Sequence, residues 1–280
     1  MQLPREVIVG VNILDRVGEI CTKLGFHGTA LVVSGPVTYP LAGVGVAKSA
    51  AKAGLRVDHI IVKESTEAVL NQIIETIKKT RPSIVLAVGG GKDIDLGKLA
   101  SAKASVPFMS IPTAASHDGI ASPYASIKGG PKPYSIRAQA PIAIIGDIGV
   151  IADSPYDLLA AGCGDIVAKF SSRPCSGAEH LFSHALDIVA GETSLHGGRT
   201  GVGAIMCAYL HGSNWESIKE FLQEIGAPST AKELRVSPEQ VVKALTMAHS
   251  LRPERYTILG ETGVTEGAAE KVARATGVIG

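Results

Sequence analysis

The stretch Ser176-Gly177-Ala178-Glu179-His180-Leu181-Phe182-Ser183-His184-Ala185-Leu186-Asp187 carries two imidazoles four residues apart. Leu181, Phe182, Ala185 and Leu186 give it the apolar face of a helix. On a helix that spacing puts His180 and His184 on one side, one turn apart. A third imidazole, His196, stands just before Gly197-Gly198, and Asp165 lies upstream in Gly162-Cys163-Gly164-Asp165. One carboxylate with two or three imidazoles is the ligand set of a divalent cation that keeps a coordination position open. Two histidines at this spacing also suit an ordinary polar helix face, so the surrounding elements must decide.

A second group of residues points to a nucleotide. Val88-Gly89-Gly90-Gly91-Lys92-Asp93-Ile94-Asp95-Leu96-Gly97-Lys98 leaves a strand and enters a helix. Three consecutive glycines let backbone amides approach a pyrophosphate at a helix N-terminus. The run is not the dinucleotide G-x-G-x-x-G, because position 94 is Ile. It is not a P-loop either, because position 92 is Lys and position 99 is Leu. The next strand, Phe108 to Pro112, ends in Thr113-Ala114-Ala115-Ser116-His117-Asp118, with Ser122 close behind. Its hydroxyls and carboxylate crowd where a cofactor would lie.

The elements that must hold these groups fall into two textures. Up to about residue 155, short β-branched runs alternate with helical patterns. The strands are Val7–Gly10, Thr29–Val33, Val57–Val62, Ile84–Val88 and Phe108–Pro112. Continuous apolar strands between helices predict a parallel sheet covered on both faces, an α/β Rossmann-like domain over 1–155. Such sheets bind ligands at the carboxyl ends of their strands. After Asp153-Ser154-Pro155, strand-like runs stop and helical patterns dominate, from Tyr156–Phe170 to Thr265–Thr276. This predicts an all-α domain over 156–280, with Ser154 capping its first helix and Pro155 at the first helical position.

Bulk composition narrows the class. The 280 residues are 45% hydrophobic, so disorder is not expected, and the net charge of +1 argues against an electrostatic nucleic-acid binder. No apolar run is long enough to span a bilayer, and the first residues lack the pattern of a signal peptide. The four cysteines, at 21, 163, 175 and 207, are scattered and read as reduced thiols of a cytoplasmic protein.

Taken in order, the GGGKDID loop, PTAASHDG with Ser122, GCGD, SGAEHLFSHALD and HGG-x-x-GVG resemble the sn-glycerol-1-phosphate dehydrogenases of archaeal type. These belong to the dehydroquinate synthase-like, iron and glycerol dehydrogenase superfamily. The motifs cover nearly the whole chain. The resemblance implies reduction of dihydroxyacetone phosphate to sn-glycerol 1-phosphate with NADH or NADPH, for archaeal-type membrane phospholipids. It implies one Zn²⁺ per subunit on Asp165, His180 and His196, and a homo-oligomer. It assigns Asp118 and His184 to catalysis and, with Asp165, to the substrate. It assigns cofactor contacts to Gly91, Lys92, Asp93, Ile94 and Asp95, and to Thr113, Ala114, Ala115, Ser116 and Ser122. A proton would arrive from His184 or from a water that it holds. Arg199 is a candidate for the substrate phosphate, although a solvated surface arginine fits as well. Lys63, near the end of the second strand of the nucleotide-binding pattern, leans toward tolerance of NADPH.

One feature departs from that family. Only 15 positions separate Asp165 from His180, and Ile166–Phe170 runs directly into Ser171-Ser172-Arg173-Pro174, so part of the helical domain is missing near 170–171. A shortened domain, or two flanks joined across a segment not shown, would both produce this; the intact flanks favour the second. Two other functions stay open: another polyol dehydrogenase of the superfamily, such as a glycerol dehydrogenase, or a catalytically impaired nucleotide-binding relative.

Overall fold

A computed structural model describes residues 3–116, 118–126, 135–171, 177–191 and 193–280. The chain divides into two compact units, Met1–Ser154 and Pro155–Gly280.

In the first unit β1 (Glu6–Gly10) leads to α1 (Val17–Lys23), β2 (Thr29–Ser34), α2 (Val44–Lys52), β3 (Arg56–Ile61), α3 (Glu67–Thr80) and β4 (Ile84–Gly89). Then follow α4 (Gly91–Ala104), β5 (Phe108–Pro112), β6 (Tyr124–Ser126), β7 (Ser135–Arg137), β8 (Ala143–Asp147) and α5 (Ile148–Ala152). Six strands make one parallel sheet in the order β1-β8-β5-β4-β2-β3. The alternation within β2 explains why its run is continuously apolar. Ala30 and Val32 enter the core on one face, and Leu31 and Val33 enter the core on the other. Both faces are covered, as parallel sheets require. Sequence periodicity missed β8, which sits between β5 and β1. Its carboxyl-terminal Asp147 caps α5 and also accepts the backbone N–H groups of Asn12 (3.2 Å) and Ile13 (2.8 Å), joining the ends of β8 and β1. The hairpin β6–β7 forms a separate two-stranded antiparallel sheet.

The second unit is helical: α6 (Tyr156–Ser171), α7 (Ala178–Ala190), α8 (His196–Leu210), α9 (Trp215–Glu224), α10 (Pro238–Ala248) and α11 (Glu266–Ala275). Its core is apolar, built around Leu181, Phe182, Leu186, Val202, Ile205, Leu234 and Leu245. Ser237 opens α10 with a capping box closed by Gln240, and Pro238 occupies the first turn. At α6 the expected cap is not made: the Ser154 hydroxyl is buried without a hydrogen-bond partner among the described residues. The sequence junction at Ser172–Pro174, and Cys175, lie outside the described residues.

Candidate functional site

The chain moves from β2 outward to β3 and returns to β4 on the other side of β2. This is the topological switch point where open parallel sheets bind ligands. The ends of β2 and β4 are fastened there: Ser34 Oγ donates to the Val88 carbonyl at 2.7 Å. Thr38 Oγ1 accepts the Gly35 amide (2.8 Å) and donates to Asp93 Oδ2 (2.9 Å). Gly89 has φ +151°, and a Cβ there would fall 2.0 Å from Asp93 Oδ2, so only glycine lets the strand turn into α4. Among the described residues no side chain caps α4. Its first amides therefore face the loop, the arrangement that receives an anion. Lys92 Nζ reaches the carbonyls of Val62 (3.2 Å) and Lys63 (3.1 Å) beyond the end of β3.

The five expected cofactor contacts on this loop separate into two kinds. Gly91 and Lys92 are half-buried at the rim. Asp93, Ile94 and Asp95 are buried. Burial pushes the Asp93 carboxyl above its ordinary value, with Lys92, Thr38 and Gly35 pulling the other way. Ile94 lies in the apolar core and its amide donates back to Gly90 (3.1 Å), so it has nothing left to offer a ligand. Both oxygens of Asp95 are engaged by the chain itself, Oδ1 by Lys98 Nζ (3.0 Å) and Oδ2 by the Ser126 amide (2.9 Å).

Lys98 is fully buried, yet its ammonium also donates to the carbonyls of Gly119 (2.7 Å) and Tyr124 (2.6 Å). Three acceptors satisfy its three donors, which is what makes burial of a cation tolerable. This ammonium fastens the Asp118–Ser126 segment to α4. Asp118 opens a short turn whose carbonyl accepts the Ala121 and Ser122 amides, both at 3.0 Å. Thr113 and Ala114 are buried, Ala115, Ser116, Asp118 and Ser122 half-buried. His117 lies outside the described residues.

In the helical unit, α6 supplies Asp165, α7 supplies His180 and His184, and α8 begins with His196. One ligand atom each from Asp165, His180 and His196 lies within 4.8 Å of the others. Asp165 Oδ1 is 3.2 Å from His180 Nε2 and 3.9 Å from His196 Nε2. Bonds of about 2.0–2.2 Å to a tetrahedral Zn²⁺ put ligand atoms roughly 3.3–3.6 Å apart, so the donor set fits such a cation. His184 lies beside the group, its ring centroid 5.7 Å from that of His196. Glycines bring the helices close enough. A Cβ on Gly164 would sit 2.4 Å from the Gly197 carbonyl, and one on Gly197 would sit 1.8 Å from the Ala161 carbonyl. Each of these glycines is the chain neighbour of a candidate ligand.

The outer nitrogens of the candidate ligands are occupied. His180 Nδ1 meets Glu179 Oε1 at 3.0 Å, and His196 Nδ1 meets Ser183 Oγ at 3.1 Å. Burial works against a charge on His180, but the flanking carboxylates of Asp165 and Glu179 outweigh it and push the metal-free imidazole up to about 9. His184 goes the other way. Burial, then the positive charges of His180, Arg252, Arg199 and Arg255, hold it down at about 4. Burial and the His180 charge likewise hold His196 well below its ordinary value.

Arg199 is not a solvated surface residue. It is buried, it pairs with Asp187 (Nη2–Oδ1 3.0 Å), and it donates to the Ser194 carbonyl and toward Ser183 Oγ (3.4 Å). It supports α8 against α7, and its guanidinium is engaged by the chain's own groups. Sequence reading also passed over Glu179, Ser183, Thr38 and Lys98. A Glu directly before a candidate ligand His was a visible signal. The burial of Lys98 was not, because two of its acceptors are carbonyls of a loop 21 and 26 residues away.

Residues 8–155 match the family described as iron-containing alcohol dehydrogenase. The glycerol-1-phosphate dehydrogenase (NAD(P)+) of Methanosarcina mazei is 40% identical over 344 aligned positions, covering all of this chain and 96% of the relative. That of Pyrococcus furiosus is 41% identical, covering all of this chain and 99% of the relative. Since 344 positions align with 280 residues, about 64 positions of the alignment have no counterpart here. Among solved structures, glycerol dehydrogenase from Schizosaccharomyces pombe aligns with a TM-score of 0.83 at 16% identity, over 99% of this chain and 89% of that one. A probable glycerol dehydrogenase from Sinorhizobium meliloti gives 0.80 at 16% identity, over 99% and 97%. At these identities the structures speak to the fold, while the sequence relatives decide the family: the chain is an oxidoreductase belonging to the glycerol-1-phosphate dehydrogenases within the iron-containing alcohol dehydrogenases.

Proposed function

We propose that this chain reduces dihydroxyacetone phosphate to sn-glycerol 1-phosphate with NADPH or NADH, using one Zn²⁺ held by Asp165, His180 and His196. The observation that supports it most is the ligand group, with Asp165 and His180 buried, atoms spaced for one divalent cation and both outer imidazole nitrogens hydrogen-bonded. The relatives' names give glycerol 1-phosphate and NAD(P)+, and dihydroxyacetone phosphate is the oxidised counterpart of the former. A cation bound there would act as a Lewis acid on the substrate carbonyl and stabilise the negative charge that develops on its oxygen.

The chain's own residues do the rest. The switch-point loop binds the dinucleotide, with Gly91 and Lys92 at the pyrophosphate and Thr113–Ser116 and Ser122 along the cofactor. Asp118, held by the Lys98 anchor, orients a substrate hydroxyl. His184 is kept neutral at working pH, so it passes a proton from water through its ring rather than storing one. A cytoplasmic homo-oligomer producing lipid backbones completes the reading; among the described residues no helix is long and apolar enough to cross a membrane.

The test is a metal analysis combined with NADPH oxidation. Stoichiometric zinc and turnover of dihydroxyacetone phosphate, with little on dihydroxyacetone, support the proposal. Preference for dihydroxyacetone would make the chain a glycerol dehydrogenase instead. Neither metal nor turnover would make it a catalytically impaired relative.

A further inference from the structure

We infer that Glu179 is a positioning residue: its carboxylate fixes the proton of His180 on Nδ1 and thereby aims a bare Nε2 into the Asp165–His180–His196 group. This rests on the reading of that group as a metal site and goes one residue further out.

A neutral imidazole carries one proton on one of two nitrogens, and only the bare nitrogen can ligate. A carboxylate has no proton to give when ionised, so the nitrogen facing it must be the one that donates. His180 Nδ1 faces Glu179 Oε1 at 3.0 Å, and the opposite nitrogen, Nε2, is 3.2 Å from Asp165 Oδ1. Without a cation both nitrogens face a carboxylate; once Nε2 and Asp165 are given to one cation, Glu179 alone is left to receive the remaining N–H and holds that proton on Nδ1.

Glu179 is fully buried in the first turn of α7. A carboxylate in that place is costly to desolvate and must be held by strong donors. Oε1 accepts the Gly177 amide at 2.6 Å in addition to the imidazole. The Gly177 contact holds the carboxylate still, so the imidazole is oriented by a fixed group rather than by a mobile one. His196 is served differently: its Nδ1 meets the Ser183 hydroxyl, which can donate or accept and so dictates no tautomer. The two imidazoles are thus unequal, and the one beside Glu179 is the committed ligand.

A plain structural role is the competing explanation, since an acidic residue in the first turn of a helix also stabilises it. The two roles separate in experiment. Zinc alone is titrated into metal-free wild type, Glu179→Gln, Ser183→Ala and His180→Ala, against a competing chelator. Positioning predicts about 10–100-fold weaker zinc binding for a folded Glu179→Gln protein and a smaller loss for Ser183→Ala. A lowered melting temperature with wild-type zinc affinity overturns the inference and leaves a helix-stabilising role only. If wild type and His180→Ala bind zinc alike, or neither binds it, the metal site itself has failed rather than Glu179.

Should Glu179→Gln not fold, a measurement without substitution decides. In zinc-loaded wild type, a long-range ¹H–¹⁵N spectrum of the imidazoles should show His180 protonated at Nδ1. A proton on Nε2 with a bare Nδ1 overturns the inference.

Discussion

Gly197→Ala tests whether the close approach of α6 and α8 builds the metal site. In an exposed helix interior, Gly to Ala is normally stabilising by about 1 kcal/mol. Here the added Cβ would fall 1.8 Å from the Ala161 carbonyl. Ordinary contact begins near 3.4 Å, so the helices must part by about 1.6 Å. Asp165 sits on one of them and His196 on the other, already 3.9 Å apart at the ligand atoms. Transmitted in full, the displacement takes that pair to about 5.5 Å, well beyond the roughly 3.3–3.6 Å that one tetrahedral ion spans. The variant is expected to melt lower, by an overpacking cost of about 1–3 kcal/mol. It should also bind zinc more than about 100-fold more weakly, a larger loss than removal of an outer hydrogen-bond partner causes. Thermal melts of the metal-free protein and zinc titration against a chelator read the two effects separately. A Gly197→Ala protein that melts at or above wild type and binds zinc normally would refute the argument.

Removal of zinc by a chelator should abolish NADPH oxidation with dihydroxyacetone phosphate, and stoichiometric zinc should restore it. In the metal-free protein His180 titrates near 9 when folded and near its ordinary 6.5 when unfolded. Its contribution, about 3 kcal/mol, is complete below pH 6.5 and lost as pH rises through 9. His184 is held down at about 4, so its contribution is present above pH 6.5 and lost as pH falls toward 4. Melting temperature against pH in the metal-free protein should peak near 6.5, and bound zinc should remove the alkaline decline; a flat profile from 6.5 to 9 would count against the carboxylate-flanked His180. His184→Ala should lower turnover and change its pH profile while leaving stoichiometric zinc bound, and an unchanged profile would exclude the proton relay. Lys98→Met leaves Asp95 buried without its cation, so a loss of about 3–5 kcal/mol is expected from chemical denaturation; a loss under about 1 kcal/mol would mean the ammonium is not holding the loop.

The sheet strands and most helices were legible because their residues are chosen by burial. The β2 and β4 runs are buried at every position, since both sheet faces are covered, and α7 and α10 show clear one-sided apolar patterns. β8 was harder: Ala143-Ile-Ile-Gly-Asp is short and runs directly into α5. In α4 the buried set includes Asp93, Asp95 and Lys98, which erases the amphipathic signature. Polar groups buried by long-range partners cannot announce themselves in a local pattern. The same cause hid the burial of Arg199, because a basic residue one turn from His196 looks solvent-facing until Asp187 is placed opposite it. The ligand residues were visible by type and spacing, while their closeness depends on Gly164 and Gly197, which sequence alone presents as ordinary small residues.

The pairing of β1 has a consequence for how the first unit is made. Among the described residues β1 bonds along the sheet only to β8, with Glu6 opposite Ala143 and Gly10 opposite Asp147. During synthesis, β2 to β5 can assemble once Pro112 has emerged, but β1 must wait for a partner made more than 130 residues after it. Closing so long a loop is slow, and a waiting strand is open to wrong partners. Val7 and Val9 keep an apolar surface on that strand even in the finished sheet. A fragment ending before Ala143 would therefore hold the switch-point loop between β2 and β4 yet carry a loose, sticky amino-terminal segment. Insertion of β8 between β5 and β1 is the step that seals the sheet, and Asp147 locks it by gathering the Asn12 and Ile13 amides.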